Sequence, residues 1–325
     1  MVLNFEQIRA VTRGSVYTEE KDGWVRFHRF TEGQERIYAA LHPEFIGKTT
    51  ASAGVRLAFY TDSKSLSFQF RLALSSSRTY ARMDVCCNGA LVSHIGVNDY
   101  EGQIYRAEVA LEEGRKAIEI YLPWTMCCEI RDFTLDDGAA VEPIVRAHTM
   151  ICYGDSITQG YDAKYPSLAY VSAMGRLLDA DPINKGIGGE IFFPELLEAP
   201  DAISPDYITV AYGTNDWSGQ ERDFFISNCR AFYAHLSALY PKAKIFALAP
   251  IWRSNGMAET KYGEPVTAVY RMICEQTADL ENVTVICGDA LIPHLKPFTT
   301  DGLHPNDAGF GLYAQNLYLA IKPYL

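Results

Sequence analysis

Four short polar segments, each containing glycine, hold the side chains with the clearest chemical potential: residues 154–160 (GDSITQG), 184–190 (NKGIGGE), 213–216 (GTND) and 301–305 (DGLHP). Ser156 is a weak nucleophile unless a neighbouring base takes its proton. His304 is the only one of the seven histidines in an Asp-x-x-His arrangement. Asp301 can fix the tautomer that leaves His304 Nε2 free to act as that base. These residue types predict nucleophilic acyl transfer, and helix capping is the alternative role for each of them.

Short runs of alternating polarity, separated by turn signals, fill the first 135 residues. We predict strands at 24–30, 55–60, 66–72, 80–87, 91–95, 105–111, 117–122 and 127–135. Asn88-Gly89, between two of these runs, is the strongest short hairpin signal. About eight antiparallel strands without a long helical pattern predict a β-sandwich of the jelly-roll type. The first 23 residues are expected to form a strand or a loose arm.

The pattern changes after residues 136–143, which we interpret as a linker. Buried strands are predicted at 149–153, around 182–183, and at 207–212, 244–249 and 283–287, and helices at 168–178, 221–240, 265–280 and 306–321. Strands that alternate with helices predict an α/β fold with a three-layer, doubly wound, mostly parallel sheet. We therefore expect a β-sandwich domain at 1–143 and an α/β domain at 144–325. Three of the polar segments follow predicted strands and the fourth precedes the last helix, so all four should meet at the ligand-binding edge of the sheet.

The order of these segments resembles that of the SGNH (GDSL-type) hydrolases, whose four sequence blocks carry a serine, a glycine, an asparagine and a histidine in turn. The resemblance covers roughly residues 148–322. Ile157 stands where the family usually has leucine, and block two is Gly188-Gly189-Glu190 instead of the commoner Ser-Gly-Asp. Neither departure removes a reacting group. The preceding sandwich resembles the jelly-roll domain of some carbohydrate esterases in the same superfamily, and the resemblance implies a flavodoxin-like α/β fold.

The resemblance implies catalytic roles for Ser156, Asp301 and His304, and an oxyanion hole made of two backbone N–H groups and one side-chain amide. The donors would be the N–H of Ser156, the N–H of Gly189 and the amide of Asn215. Gly189 lets the backbone approach a ligand without a Cβ in the way. Gly188 is the rival donor in block two, and an Asx-turn is the alternative role for Asn215.

Other side chains near the four blocks have weaker signals. Asp155 and Asp216 are expected to brace the turns by local hydrogen bonds. Trp217 and Trp252 lie just past strand ends, where they could wall the substrate pocket or pack in the core. Arg253 could recognise an acidic or sugar substrate, or could be a solvated loop charge. The remaining histidines have no motif around them and are expected to be structural: His28, His42, His94, His148, His235 and His294.

Composition excludes several classes of protein. The 325 residues are 48% apolar and 21% charged, which is typical of a folded chain. The net charge of −11 is spread over both parts, so neither has the basic surface that nucleic-acid or membrane binding usually requires. We expect a cytoplasmic protein, because the first residues lack a signal-peptide pattern and the eight cysteines fit buried free thiols. No dinucleotide, Walker or zinc motif occurs, so we expect no cofactor and no metal.

These observations together predict a serine ester hydrolase that forms an acyl-enzyme. Its expected partner is a small acylated molecule, and the sandwich and the lack of a lipophilic lid-like stretch favour acetyl groups on sugars or oligosaccharides. The alternative activities are those of a lysophospholipase, a thioesterase or an acyltransferase of the same superfamily. A protein of another class, an inactive carbohydrate-binding scaffold, is also retained as an alternative, and the sequence leaves open whether the chain forms a homo-oligomer.

Overall fold

The computed structural model describes residues 1–325, and its first 143 residues contain eleven strands. They are β1 (Thr12–Arg13), β2 (Tyr17–Lys21), β3 (Trp24–His28), β4 (Arg56–Thr61), β5 (Ser65–Leu74), β6 (Ala81–Cys87), β7 (Ala90–Val97), β8 (Ile104–Ala110), β9 (Lys116–Tyr121), β10 (Met126–Leu135) and β11 (Glu142–Pro143). One antiparallel sheet has the order β2-β3-β10-β5-β8. The other has the order β1-β4-β9-β6-β7, with β11 beside β4. The predicted antiparallel sheets are thus confirmed.

The two antiparallel sheets enclose one hydrophobic core. Alternate residues of β5, including Phe68 and Phe70, are buried, as expected for a strand with one face on the core. Phe59 of one sheet meets Phe133 of the other with ring centroids 5.9 Å apart. The finer expectation, a jelly-roll connectivity, stays a prediction.

Three helices interrupt the sandwich part, where no helix was expected. They are α1 (Phe5–Val11), α2 (Glu32–Leu41) and α3 (Ile46–Thr49). The expectation of a strand or loose arm before residue 24 was wrong for α1. The signals were present as capping boxes, in which Asn4 and Gln7 at α1, and Thr31 and Gln34 at α2, each bond the other's backbone N–H.

The second part contains five strands and six helices. The strands are β12 (His148–Gly154), β13 (Ala180–Gly186), β14 (Tyr207–Ala211), β15 (Lys244–Leu248) and β16 (Val283–Ile286). The helices are α4 (Ser156–Gln159), α5 (Tyr170–Leu177), α6 (Thr214–Gly219), α7 (Arg222–Leu239), α8 (Ala268–Thr277) and α9 (Asp307–Ile321). Short 3-10 turns lie at Pro43–Phe45, Pro166–Leu168, Pro194–Glu198, Gly288–Ala290, Lys296–Phe298 and Lys322–Tyr324.

All five strands of the second part are parallel and have the order β13-β12-β14-β15-β16. Along β12, Ile151 packs into one hydrophobic cluster and Cys152 into another on the opposite face. Residues of α7 and α8 cover the first face and residues of α5 and α9 cover the second, which gives the predicted three layers. The strand order reverses at β12, and such a switch point opens a crevice at the carboxyl end of the sheet.

Residues 29–50, the segment that contains α2 and α3, pack on the second part. Phe30 and Tyr38 are fully buried in the same cluster as Ile151. Arg29, also fully buried, donates hydrogen bonds to the carbonyls of Asn184 (2.5 Å) and Gly186 (3.1 Å) on β13. The division into domains at residues 143 and 144 stays a prediction, and the interface it would cross is a buried one.

Two further features concern the whole chain. No helix combines the length and the apolar character that crossing a membrane would require. All eight cysteines are free, and six of them are buried.

Candidate active site

The serine, histidine and aspartate singled out from the sequence lie together at the carboxyl end of the parallel sheet. Ser156 is the first residue of α4 and directly follows β12 and Asp155. The hydroxyl of Ser156 lies 2.9 Å from His304 Nε2. His304 Nδ1 lies 2.7 Å from Asp301 Oδ2. These distances form a continuous hydrogen-bonded chain from a hydroxyl through an imidazole to a carboxylate.

Asp301 is fixed by its own turn so that one oxygen faces the imidazole. Its Oδ1 accepts from the backbone N–H of Leu303 (2.9 Å) and of His304 (2.8 Å), which leaves Oδ2 for Nδ1. Burial opposes ionisation, but the hydrogen bonds from His304 outweigh it and lower the pKa of Asp301. Asn306 is the residue that caps α9, so helix capping does not account for Asp301 or His304.

The loop after β13 presents one free backbone donor. The N–H of Gly188 already donates to Gln159 Oε1 at 2.8 Å. The N–H of Gly189, a residue held at φ +93°, has no hydrogen-bond acceptor within the chain. Of the two rival glycines, only Gly189 therefore has an N–H available to a ligand.

Asn215 and Ser156 supply further donors beside this loop. Asn215 lies in the first turn of α6, and its Nδ2 donates to the carbonyl of Glu190 at 2.9 Å, so its side chain spans two segments and does not form a local Asx-turn. A carboxamide has two N–H bonds, so one of them remains. Ser156 begins α4, where a backbone N–H has no partner within the helix.

Three carboxyl groups lie buried beneath these donors. Asp155 accepts from Ile157 N–H (2.9 Å), and Asp216 accepts from Gly213 N–H (3.0 Å) and Phe192 N–H (3.1 Å). Both aspartates thus brace the turns, as predicted. Burial raises the pKa of Asp155 to about 6 and that of Asp216 to about 7.

Glu190, which the sequence analysis did not single out, is the third of these groups. Its side chain is fully buried, and burial raises its pKa to about 7. At neutral pH the three buried carboxyls therefore carry less negative charge than three exposed ones would. This lowers the electrostatic opposition to an anion forming at the Gly189 N–H.

A second group of residues that was not predicted from the sequence lies around His304. The ring of Tyr161 stacks on the imidazole with centroids 5.5 Å apart. Asp162 accepts from the hydroxyl of Thr300 (2.5 Å) and from two guanidinium nitrogens of Arg78 (2.9 and 3.1 Å). Arg78 lies between β5 and β6, so the sandwich contributes a side chain next to the turn that holds Asp301 and His304.

The donor atoms of Asp162, Asp301 and His304 lie within 4.8 Å of one another, which is a spacing that could suit a cation. Each of the three already has protein partners: Arg78 for Asp162, and the Asp301–His304 hydrogen bond for the other two. The chemistry of this set is therefore that of a hydrogen-bonded network.

The three residues predicted as possible substrate contacts differ in their surroundings. Trp217 is fully buried in the core and donates its indole N–H to the carbonyl of Glu264 at 2.7 Å, which agrees with the core-packing alternative. Arg253 is only 9% exposed and donates to the carbonyl of Thr214 at 3.1 Å, so it is not a solvated loop charge. Trp252 is half-buried and stacks on His294. Substrate contacts of Trp217, Trp252 and Arg253 stay predictions.

Several solved structures are similar to this chain. No curated protein matches the sequence. Among solved structures, the salicylyl-acyltransferase SsfX3 from a tetracycline biosynthetic pathway has a TM-score of 0.81 and 20% identity, with 96% of this chain and 94% of that chain covered.

Two carbohydrate esterases are also similar. A family two carbohydrate esterase from Clostridium thermocellum, in complex with cellohexaose, has a TM-score of 0.66 and 16% identity over 84% of this chain and 93% of that chain. An acetyl xylan esterase from the rumen bacterium Butyrivibrio proteoclasticus has a TM-score of 0.61 and 16% identity over 84% and 91%. At these identities the likeness concerns the fold alone.

The sequence itself matches a family model over one region of the chain. Residues 152–312 match the model of the GDSL-like lipase/acylhydrolase family. This range contains Ser156, Gly189, Asn215, Asp301 and His304. This chain therefore contains a GDSL-like lipase/acylhydrolase domain at residues 152–312.

Proposed function

We propose that this protein is a serine ester hydrolase that acts by double displacement. The observation that carries the proposal is the chain of hydrogen bonds from Ser156 through His304 to Asp301. Ser156 Oγ attacks the ester carbonyl carbon while His304 Nε2 takes its proton. The imidazolium then protonates the leaving alkoxide, which leaves an acyl-serine. A water molecule that is deprotonated by His304 releases the acid and restores the serine.

The charge that develops on the carbonyl oxygen needs donors already in place. We assign them to the N–H of Ser156, the N–H of Gly189 and the free N–H of Asn215. Gly188 is left out because its N–H is bonded to Gln159. The three donors come from the ends of β12, β13 and β14, so the adjacent strands of a rigid sheet position the hole.

Replacing Asn215 by alanine tests the side-chain donor. Loss of one such donor is expected to lower kcat on aryl acetates by about 10²–10³ while KM changes little, because the bond strengthens as charge develops. Asn316→Ala is the matched control, since Asn316 in α9 also donates from Nδ2 to a carbonyl, that of Leu291. An Asn215→Ala enzyme within threefold of the wild-type kcat would remove Asn215 from the proposed hole.

The proposed substrate is a sugar or oligosaccharide that carries a small acyl group, acetyl above all. Two similar structures support this class: the esterase from Clostridium thermocellum that holds cellohexaose, and the acetyl xylan esterase. The contribution of Arg78 from the sandwich also means that the cleft is bordered by both parts of the chain.

Acyl-chain profiling tests the substrate class. We expect kcat/KM for 4-nitrophenyl acetate to exceed that for the octanoate by about tenfold or more, because a pocket fitted to a methyl group excludes longer chains. Butyrate gives the intermediate point. A preference for octanoate would instead indicate lipid or thioester chemistry.

Acyl transfer to an alcohol is the second candidate, because the salicylyl-acyltransferase matches nearly the whole chain, including the sandwich part. The chemistry would be the same up to the acyl-serine, and an alcohol would then replace water. Product analysis with an acetyl donor and a sugar acceptor separates the two. Free acetate as the main product supports hydrolysis, and a new sugar ester as the main product supports transfer.

A further inference from the structure

Lys48, in the 29–50 segment, contacts the loop that presents the free N–H of Gly189. Its Nζ donates to the carbonyl of Gly188 at 2.6 Å, which is its only hydrogen bond within the chain. The nitrogen also lies 4.4 Å from the centroid of the Phe45 ring. Burial lowers the pKa of Lys48, and neighbouring carboxylates, that of Glu190 first, oppose this effect. A half-buried ammonium thus faces a backbone carbonyl, with no carboxylate in an ion pair with it.

The carbonyl of Gly188 and the N–H of Gly189 belong to the same peptide group. A trans peptide is planar, and its C=O and N–H point in opposite directions. The chain has no cis peptide bond, so this geometry holds here. The ammonium of Lys48 therefore lies at one end of the peptide dipole, and the free N–H of Gly189 lies at the other.

We propose that Lys48 is a positioning residue that orients and polarises the Gly188–Gly189 peptide for the oxyanion. A charge-assisted hydrogen bond to a carbonyl draws electron density toward the oxygen, so the N–H of the same group becomes a stronger donor. The bond also resists rotation of the peptide plane, which at a glycine pair meets little steric barrier. This inference rests on the proposed function, because it assumes that an oxyanion forms at the Gly189 N–H.

Lys48 is itself held in place. The Phe45 ring packs against its ammonium, and Arg29 donates to its carbonyl oxygen at 3.2 Å. Arg29 also donates to the carbonyl of Gly186 at 3.1 Å, just before the loop. The first part of the chain therefore bonds two carbonyls of this region, that of Gly186 through Arg29 and that of Gly188 through Lys48. Because Arg29 also bonds the backbone of Lys48, the spacing between the two contacts is fixed.

Lys48→Met, Lys48→Gln and Lys48→Arg test the inference. We expect Lys48→Met and Lys48→Gln to lower kcat on 4-nitrophenyl acetate by about 10- to 100-fold, less than the loss of a whole donor, with KM within twofold. The rate at which a fluorophosphonate labels Ser156 should fall by the same factor, because that adduct also places an oxygen in the hole. Lys48→Arg, which keeps the charge, should recover most of both rates.

Lys64→Met is the matched control, because Lys64 is exposed on the sandwich and pairs with Glu113. Thermal unfolding reports on folding in each variant. If Lys48→Met and Lys48→Arg lose the same fraction of kcat and both have a lowered Tm, the role of Lys48 is structural and the inference is overturned. The inference is also overturned if kcat of Lys48→Met and Lys48→Gln stays within threefold of the wild-type value.

The inference and the proposed function fail in different ways. Suppose that the fluorophosphonate labels the wild-type enzyme at Ser156, does not label Ser156→Ala, and labels the Lys48 variants at the wild-type rate. That result would overturn only the role of Lys48. A wild-type enzyme that neither turns over esters nor takes up the label at Ser156 would overturn both.

Discussion

Ser156→Ala is expected to lower kcat on aryl acetates by about 10⁶ while the fold stays intact. Ser156 Oγ is the only hydroxyl bonded to His304 Nε2, so its removal leaves the base without a nucleophile. A small residual rate above that in water would come from the oxyanion hole and substrate binding. Ester hydrolysis and thermal unfolding, measured on the same preparation, check both halves of this expectation.

Ser218→Ala is the appropriate control. Ser218 is exposed near the same end of the sheet, and its hydroxyl donates to the carbonyl of Asn215 at 3.2 Å. The change removes the same group and should leave turnover close to the wild-type rate. The assignment of Ser156 as the nucleophile would be refuted by a Ser156→Ala enzyme that keeps activity within tenfold of wild type.

Asp301→Asn is expected to lower kcat by about 10⁴, a loss typical of a triad whose aspartate becomes an amide. The backbone N–H groups of Leu303 and His304 can still donate to the remaining oxygen. The new NH₂ group then faces Nδ1 and favours the tautomer with its proton on Nε2. That nitrogen can no longer accept the proton of Ser156.

Asp206→Asn is the control for this change. Asp206 lies beside His148, with Oδ2 3.7 Å from Nδ1, at the amino end of the sheet. The same chemistry is thus altered in an aspartate–histidine pair far from the serine. Steady-state kinetics should separate the two variants by several orders of magnitude, and equal activities would exclude Asp301 as the group that orients His304.

The predictions that held were those with a local cause. Ser156, Asn215 and His304 could be assigned to one edge because each lies within a few residues of a strand end or a helix start. The helix at 222–239 was predicted at 221–240 because its apolar spacing is long and regular. The capping boxes of α1 and α2 are also local signals, but they were missed.

The features that could not be predicted depend on contacts between distant residues. Lys48 and Gly188 are 140 residues apart, and Arg78 and Asp162 are 84 apart. Nothing in the sequence near a lysine or an arginine indicates which loop it will contact. The two alternatives for Trp217 stayed open for a related reason, since a tryptophan past a strand end can turn outward or inward and only the packing of the surrounding helices decides.

The burial of Phe30 and Tyr38 in the hydrophobic cluster that contains Ile151 of β12 also has a consequence for biosynthesis. The ribosome releases the 29–50 segment long before it has made the sheet that covers these two aromatic rings. Until then the nascent chain exposes apolar surface of the kind that chaperones bind and that favours aggregation. The yield of native enzyme in a cell should accordingly depend on how quickly translation reaches the end of the message.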